Sequence, residues 1–275
     1  MTFSRIDYSS QTKLFAGMSA IVLSLLLYWY TTRLIAPTFS QLSSTPVVLS
    51  ALLAVVFWLA VSFVTFEFFF RNDIAVFVRL IKEKWWAPIF FAAYLTIHLL
   101  VYGLVLENIL VLTFGSPGVV ASQRASAFIF LSNAFYPHTI GNALLQITLN
   151  PSFEIVVPPY YGLVLGPFSF YTAAIIGVLV ILHINRLSLI RGAIRRVGGS
   201  IVYPAVGVVG GASCCISLPV LITEFTPIAS GILIVPMWVD LLNALYYLLP
   251  ISVMVALYAG LGQLSYSPKH KEIVL

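Results

Sequence analysis

The placement of positive charge constrains this chain more than any other feature. Its 14 Lys and Arg residues are divided very unevenly among long apolar runs. Six spans can be drawn: Leu14–Tyr30, Pro46–Phe66, Ala87–Leu106, Gly162–His183, Gly199–Ile222 and Pro227–Gly262. The side that holds the N-terminus then carries Arg5, Lys13, Arg71, Arg79, Lys82, Lys84, Arg186, Arg191, Arg195, Arg196, Lys269 and Lys271, leaving Arg33 and Arg124 opposite. Lys and Arg near span ends stay cytoplasmic, so both termini are expected inside. The predicted fold class is an all-α polytopic integral membrane protein of six transmembrane helices, N-in and C-in. Residues 1–275 are expected to form a single multi-pass domain in the cell membrane.

Composition excludes the soluble alternatives. Hydrophobic residues make up 60% of the chain, charged residues 8%, and the mean hydropathy is +1.02. A soluble domain of 275 residues needs more polar surface than this. The solvent is therefore expected to be the lipid bilayer or other membrane subunits. The net charge of +5 follows from the cytoplasmic bias and does not indicate nucleic acid. The first ten residues are polar, and the next apolar run lacks a small-residue cleavage site, so the first span is expected to be retained. The two cysteines are adjacent and cannot build a disulfide framework.

Between the second and third spans, residues 74–86 place Ile74, Val76, Phe77, Leu80 and Ile81 on one helical face and Arg79, Lys82 and Lys84 on another. That pattern predicts an amphipathic surface helix, and a polar connection anchored by Trp85 and Trp86 explains it equally well. Residues 107–161 form the longest outer segment. Within it, Ser126 to Leu149 is apolar but is interrupted by Asn133, Pro137, His138, Asn142 and Gln146. A crossing there would move six basic residues outside and turn a 12:2 division into 6:8, so a re-entrant or surface segment is expected. The sixth span covers 36 residues, about 54 Å of helix, which is long for one crossing. Pro236 and Pro250 are expected to break it.

Gly207-Val-Val-Gly-Gly-Ala-Ser-Cys-Cys-Ile-Ser-Leu-Pro219 is the most specialised local sequence. Gly207 and Gly211 share one helix face and permit close approach of a neighbour. Pro219 removes the partner of the Cys215 carbonyl, which must then be met by a side chain, water or ligand. Beside that carbonyl, Cys214 and Cys215 offer thiolates suited to soft cations such as Cu(I) or Zn(II). Adjacent helical positions diverge by about 100°, so both sulfurs reach one ion only in a distorted helix. Packing of small apolar cysteines in a tight helix contact explains the pair equally well.

Ala-Ser-Cys-Cys followed within four residues by Pro resembles the vicinal-cysteine span of the mercuric-ion transport proteins. The resemblance covers about a dozen residues of 275 and implies that Cys214 and Cys215, with Pro219, accept a thiophilic ion. The pair lies here in the fifth span rather than the first, and no second Cys pair is present.

Ionisable residues within spans are costly and mark candidate sites. His98 lies roughly 16 Å into the third span, the cysteines roughly 22 Å into the fifth, and Asp240 thirteen residues after Pro227. All three levels fall near the midplane, so a shared His98, Cys214, Cys215 and Asp240 metal site is expected, offering N, S and O ligands. Individually, His98 and Asp240 are equally explained by a helix–helix hydrogen bond and by a location at a broken span. Haem is disfavoured within this chain alone, because His98 and His183 differ in depth by about half a membrane. No phosphate loop, His-Glu-x-x-His or Gly-x-Ser-x-Gly occurs, so an enzyme is the less expected outcome. The expected function is a carrier or binding protein for a small solute, such as a thiophilic metal or sulfur species. A non-catalytic membrane subunit of a larger respiratory or oxidase-type complex is the alternative.

Overall fold

The computed structural model describes residues 8–34, 45–101, 112, 126–131, 140–157, 161–189 and 236–265. These are mostly helical. In chain order they form α1 (Tyr8–Thr32), α2 (Thr45–Val64) and α3 (Arg71–Glu83), then α4 (Trp86–Thr96), β1 (Ser126–Phe130) and α5 (Ile140–Leu149). β2 (Ser152–Val157), β3 (Tyr161–Leu165), α6 (Pro167–Leu189) and α7 (Pro236–Ser265) complete them. π-helical turns extend α2 over Thr65–Phe69 and α4 over Ile97–Val101.

Three helical stretches are long and apolar enough to cross a membrane: Gln11–Thr32, Thr45–Phe69 and Pro167–Ser188. Trp86–Leu100 and Tyr247–Gly262 are shorter apolar helices. The chain is thus a membrane-embedded helical protein. Hydroxyls within these helices fold back on their own backbone: Ser24 Oγ donates to the Ala20 carbonyl at 2.6 Å, Thr31 Oγ1 to Tyr28 at 2.9 Å and Ser50 Oγ to Val47 at 2.8 Å. That satisfies each hydroxyl without any second helix.

Three expectations need correction. β1, β2 and β3 form a sheet in that order, so the chain is not all-α. The strands fall between residues 126 and 165 and are rich in the aromatic and β-branched residues that favour strands: Phe128, Ile129, Phe130, Phe153, Ile155, Val156, Val157, Tyr161 and Val164. The fourth span does not begin at Gly162, because Gly162–Leu165 belongs to β3 and the helix starts at Pro167. Proline is favoured at a first helical position, where its missing N–H is not needed. Finally, α7 starts at Pro236 and runs unbroken through Pro250, so Pro250 does not divide it. Pro250 itself is fully buried. Residues 227–235 lie outside the described residues.

The chain divides into two compact units. The first comprises residues 1–74, 127–154 and 165–171. Its frame is an antiparallel hairpin of α1 and α2. A Cβ on Gly17 would lie 2.6 Å from Val64 Cγ2, so the helix surfaces touch there. Lys13 Nζ meets Glu67 Oε1 at 3.5 Å near the same end. At the other end Tyr28, Ala54 and Phe57 form a buried core with Ala143 and Ile147 of α5. Ala143 and Ile147 are four apart and share one face of α5. Only ten residues long, α5 reaches about 15 Å and cannot cross a bilayer.

The second unit comprises residues 75–126, 155–164 and 172–275. Its centre is α6, which buries Ala173, Ile175, Ile176, Leu179, Ile181 and Leu182. A Cβ on Gly177 would stand 2.8 Å from the Phe91 ring and 2.9 Å from the Tyr94 ring, so α4 lies hard against α6. Val253, Leu257 and Leu261 form the buried stripe of α7 at helical spacing. Arg186 Nη1 donates to the Leu261 carbonyl, joining the last turns of α6 and α7.

Candidate functional site

His98 is completely buried. Tyr94, one turn earlier on the same face, has its hydroxyl 2.7 Å from His98 Nδ1. The two rings are tilted at 48° with centroids 5.4 Å apart. His98 sits in the π-helical turn Ile97–Val101, where the backbone is wider than in an α-helix. Its tautomer decides what chemistry it can do. In one tautomer Nδ1 carries the proton and donates it to the Tyr94 oxygen; in the other the Tyr94 hydroxyl donates to Nδ1 and the ring proton sits on Nε2. Tyr94 thus fixes the orientation of the His98 ring.

The other members of the expected site are not assembled around His98 by the described residues. Asp240 lies within the first two turns of α7, but its side chain falls outside them. Cys214 and Cys215 fall outside them too, as do Pro219, Gly207 and Gly211 and the whole fifth span Gly199–Ile222. Among the described residues, no group of three or more His, Cys, Asp or Glu could hold a metal ion. His183 is also fully buried, and its Nδ1 lies 2.9 Å from the Leu179 carbonyl of its own helix. That bond favours the tautomer with the proton on Nδ1.

A second polar cluster was not read from the sequence. In the first unit, Asn150 is buried between α1 and α2. Its amide nitrogen donates to the Tyr28 hydroxyl at 3.2 Å and to Ser50 Oγ at 3.5 Å. Asn150 Oδ1 is buried with no hydrogen-bond partner among the described residues. Nearby, Trp58 Nε1 donates to the Ile147 carbonyl at 2.8 Å, and the Trp58 ring lies 5.6 Å from Phe168 and 5.2 Å from Tyr171. Tyr171 and Thr65 share a hydrogen bond of 2.9 Å. The partners are about 90 to 120 residues apart, so no local pattern announces them. An Asn-Pro dipeptide after an apolar decamer was the available signal, since it ends the helix.

No protein-family model, curated protein or solved structure matches this chain.

Proposed function

We propose that the chain is a six-span protein of the cell membrane, with both termini cytoplasmic, that carries or binds a small solute through Cys214 and Cys215. His98 and Asp240 complete the donor set, and the solute class is a thiophilic metal or a sulfur species. The observation that carries this reading is the total burial of His98, at a widened turn of an apolar helix and held by Tyr94. A titratable side chain in that position is expensive and marks a site by default.

Two contacts support the topology. Lys13 and Glu67 bring the start of α1 and the end of α2 to one side, followed directly by the basic helix α3. The Arg186–Leu261 bond brings the ends of α6 and α7 together. If both helices cross, residues 190–235 must cross once in the opposite sense, which is the role given to Gly199–Ile222. The outer segment 107–161 is read as partly re-entrant. Ile147 meets Trp58, which lies thirteen residues into α2, about 20 Å along it.

The alternative, a non-catalytic subunit of a membrane complex, draws on the apolar outer faces of α1 and α2. Phe15, Val22, Leu23, Leu52 and Leu59 are all exposed there. Metal analysis with thiol titration on the detergent-purified protein separates the two. A bound soft metal that is lost in the Cys214→Ser/Cys215→Ser variant supports the carrier. A metal-free protein with two unreactive thiols and co-purifying subunits overturns it in favour of the complex.

A further inference from the structure

α3 turns its most apolar stripe toward protein. Leu80 is buried, and Phe77 packs against Phe91 with ring centroids 5.1 Å apart. The opposite face is open. Val78, Arg79 and Lys82 are exposed, and at 100° per residue they fall within one sector of roughly 100°. That sector contains no carboxylate; Glu83 lies just beyond its edge. Lys84 and Trp85 follow directly, and Trp85 is 79% exposed. Arg79, Lys82 and Lys84 take no part in the ion pairs Lys13–Glu67 and Arg71–Glu67. Phe70 alone separates α3 from the apolar helix before it, and Lys84–Trp85 from the apolar helix after it.

We propose that this face of α3 binds the headgroups of anionic phospholipids in the cytoplasmic leaflet. The proposal rests on the membrane-spanning reading above. A helix held between the ends of two apolar helices lies at headgroup level if those helices cross. Arg79, Lys82 and Lys84 supply charge-assisted donors to phosphate oxygens, with stems long enough to reach outward from the helix. Val78 and the Trp85 indole suit the boundary between headgroups and acyl chains, where a wholly water-facing helix would have no use for them. Basic residues immediately cytoplasmic of a span draw anionic lipid by about 1 kcal/mol each, close to fivefold in local lipid preference.

The test is the uptake of spin-labelled phosphatidylglycerol against spin-labelled phosphatidylcholine by the full chain in phosphatidylcholine bilayers. The wild-type protein is expected to prefer phosphatidylglycerol. Arg79→Gln/Lys82→Gln should reduce that preference at least about fivefold, and added salt should reduce it in the wild type. The charge-conserving Arg79→Lys/Lys82→Arg variant should retain it. Equal uptake of both lipids by the wild type, or an undiminished preference in the Gln variant, overturns the headgroup site while leaving the spans intact. A protein that immobilises neither labelled lipid overturns the membrane-spanning reading itself.

Discussion

Trp58 of α2 donates its indole N–H to the carbonyl of Ile147, 2.8 Å away and 89 residues later in the chain. Ile147 lies in the last turn of α5, where helix carbonyls have no partner within the helix. The indole thus satisfies a group that would otherwise be left bare in an apolar setting. Trp58→Phe keeps an aromatic ring, though a smaller one, and removes the donor. It should destabilise the protein by about 1–3 kcal/mol, the cost of an unsatisfied buried carbonyl. Thermal unfolding in detergent would show a lowered midpoint, and hydrogen exchange would rise first in residues 140–149.

Two glycines should respond in opposite ways to alanine. A Cβ on Gly166 would fall 2.5 Å from the Thr148 carbonyl oxygen and 3.1 Å from Leu149 Cα, both backbone atoms that cannot swing aside. Gly166→Ala is expected to cost about 1–3 kcal/mol through backbone displacement. Gly262 has nothing within 4 Å of the equivalent position and lies within α7. Gly262→Ala should be neutral or stabilising by up to about 1 kcal/mol, from helix propensity alone. Parallel melts of the two variants check the contrast.

Tyr28 and Asn150 should be energetically coupled. Their hydrogen bond joins α1 to the turn after α5 in a buried setting. A double-mutant cycle of Tyr28→Phe and Asn150→Ala should return an interaction of about 0.5–3 kcal/mol. Additive effects would show that the two residues act independently. Asn150→Asp, which places a charge where Asn150 is almost wholly buried, should reduce the yield of folded protein far more than Asn150→Ala.

The Lys13–Glu67 pair should matter little. The Lys13 side chain is half exposed, and the separation is 3.5 Å. Lys13→Ala is expected to change the melting midpoint by less than the equivalent of about 1 kcal/mol, and less still at high salt.

The helical frame was legible because its signals are local. Runs of seventeen or more mainly apolar residues without a charge mark α1 and α2 regardless of what packs against them, and the spacing of Phe77, Leu80 and Ile81 marks α3. In α3 the apolar face was correctly drawn, but Val76, assigned to it, is exposed. The sheet was hidden because β1 and β3 are five residues each and β2 six, within a segment whose Pro and Ser suggested irregular chain. Pro250 was expected to break a helix, since proline removes one hydrogen bond; the helix continues through it, and the buried setting of Pro250 is not written in the local sequence. At the candidate site, His98 could be singled out by its charge-bearing ring in an apolar run. Its partner Tyr94 was overlooked although it stands four residues earlier, the spacing at which helical side chains meet. The Asn150 cluster depends on contacts made across the fold, and no periodicity could reveal it.

The guanidinium of Arg186 on the Leu261 carbonyl sits at the negative end of the α7 dipole, where a cation is held most firmly. It fastens the C-terminal turns of α6 and α7 to each other. Two rods fastened at one end part more easily at the other, so a separation of this pair would begin in their N-terminal halves. Pro250 lies on the α7 side of that arc, eleven residues before the pin, about 16 Å along the helix. Bending at the proline would swing the half that carries Asp240 while leaving the fastened end still.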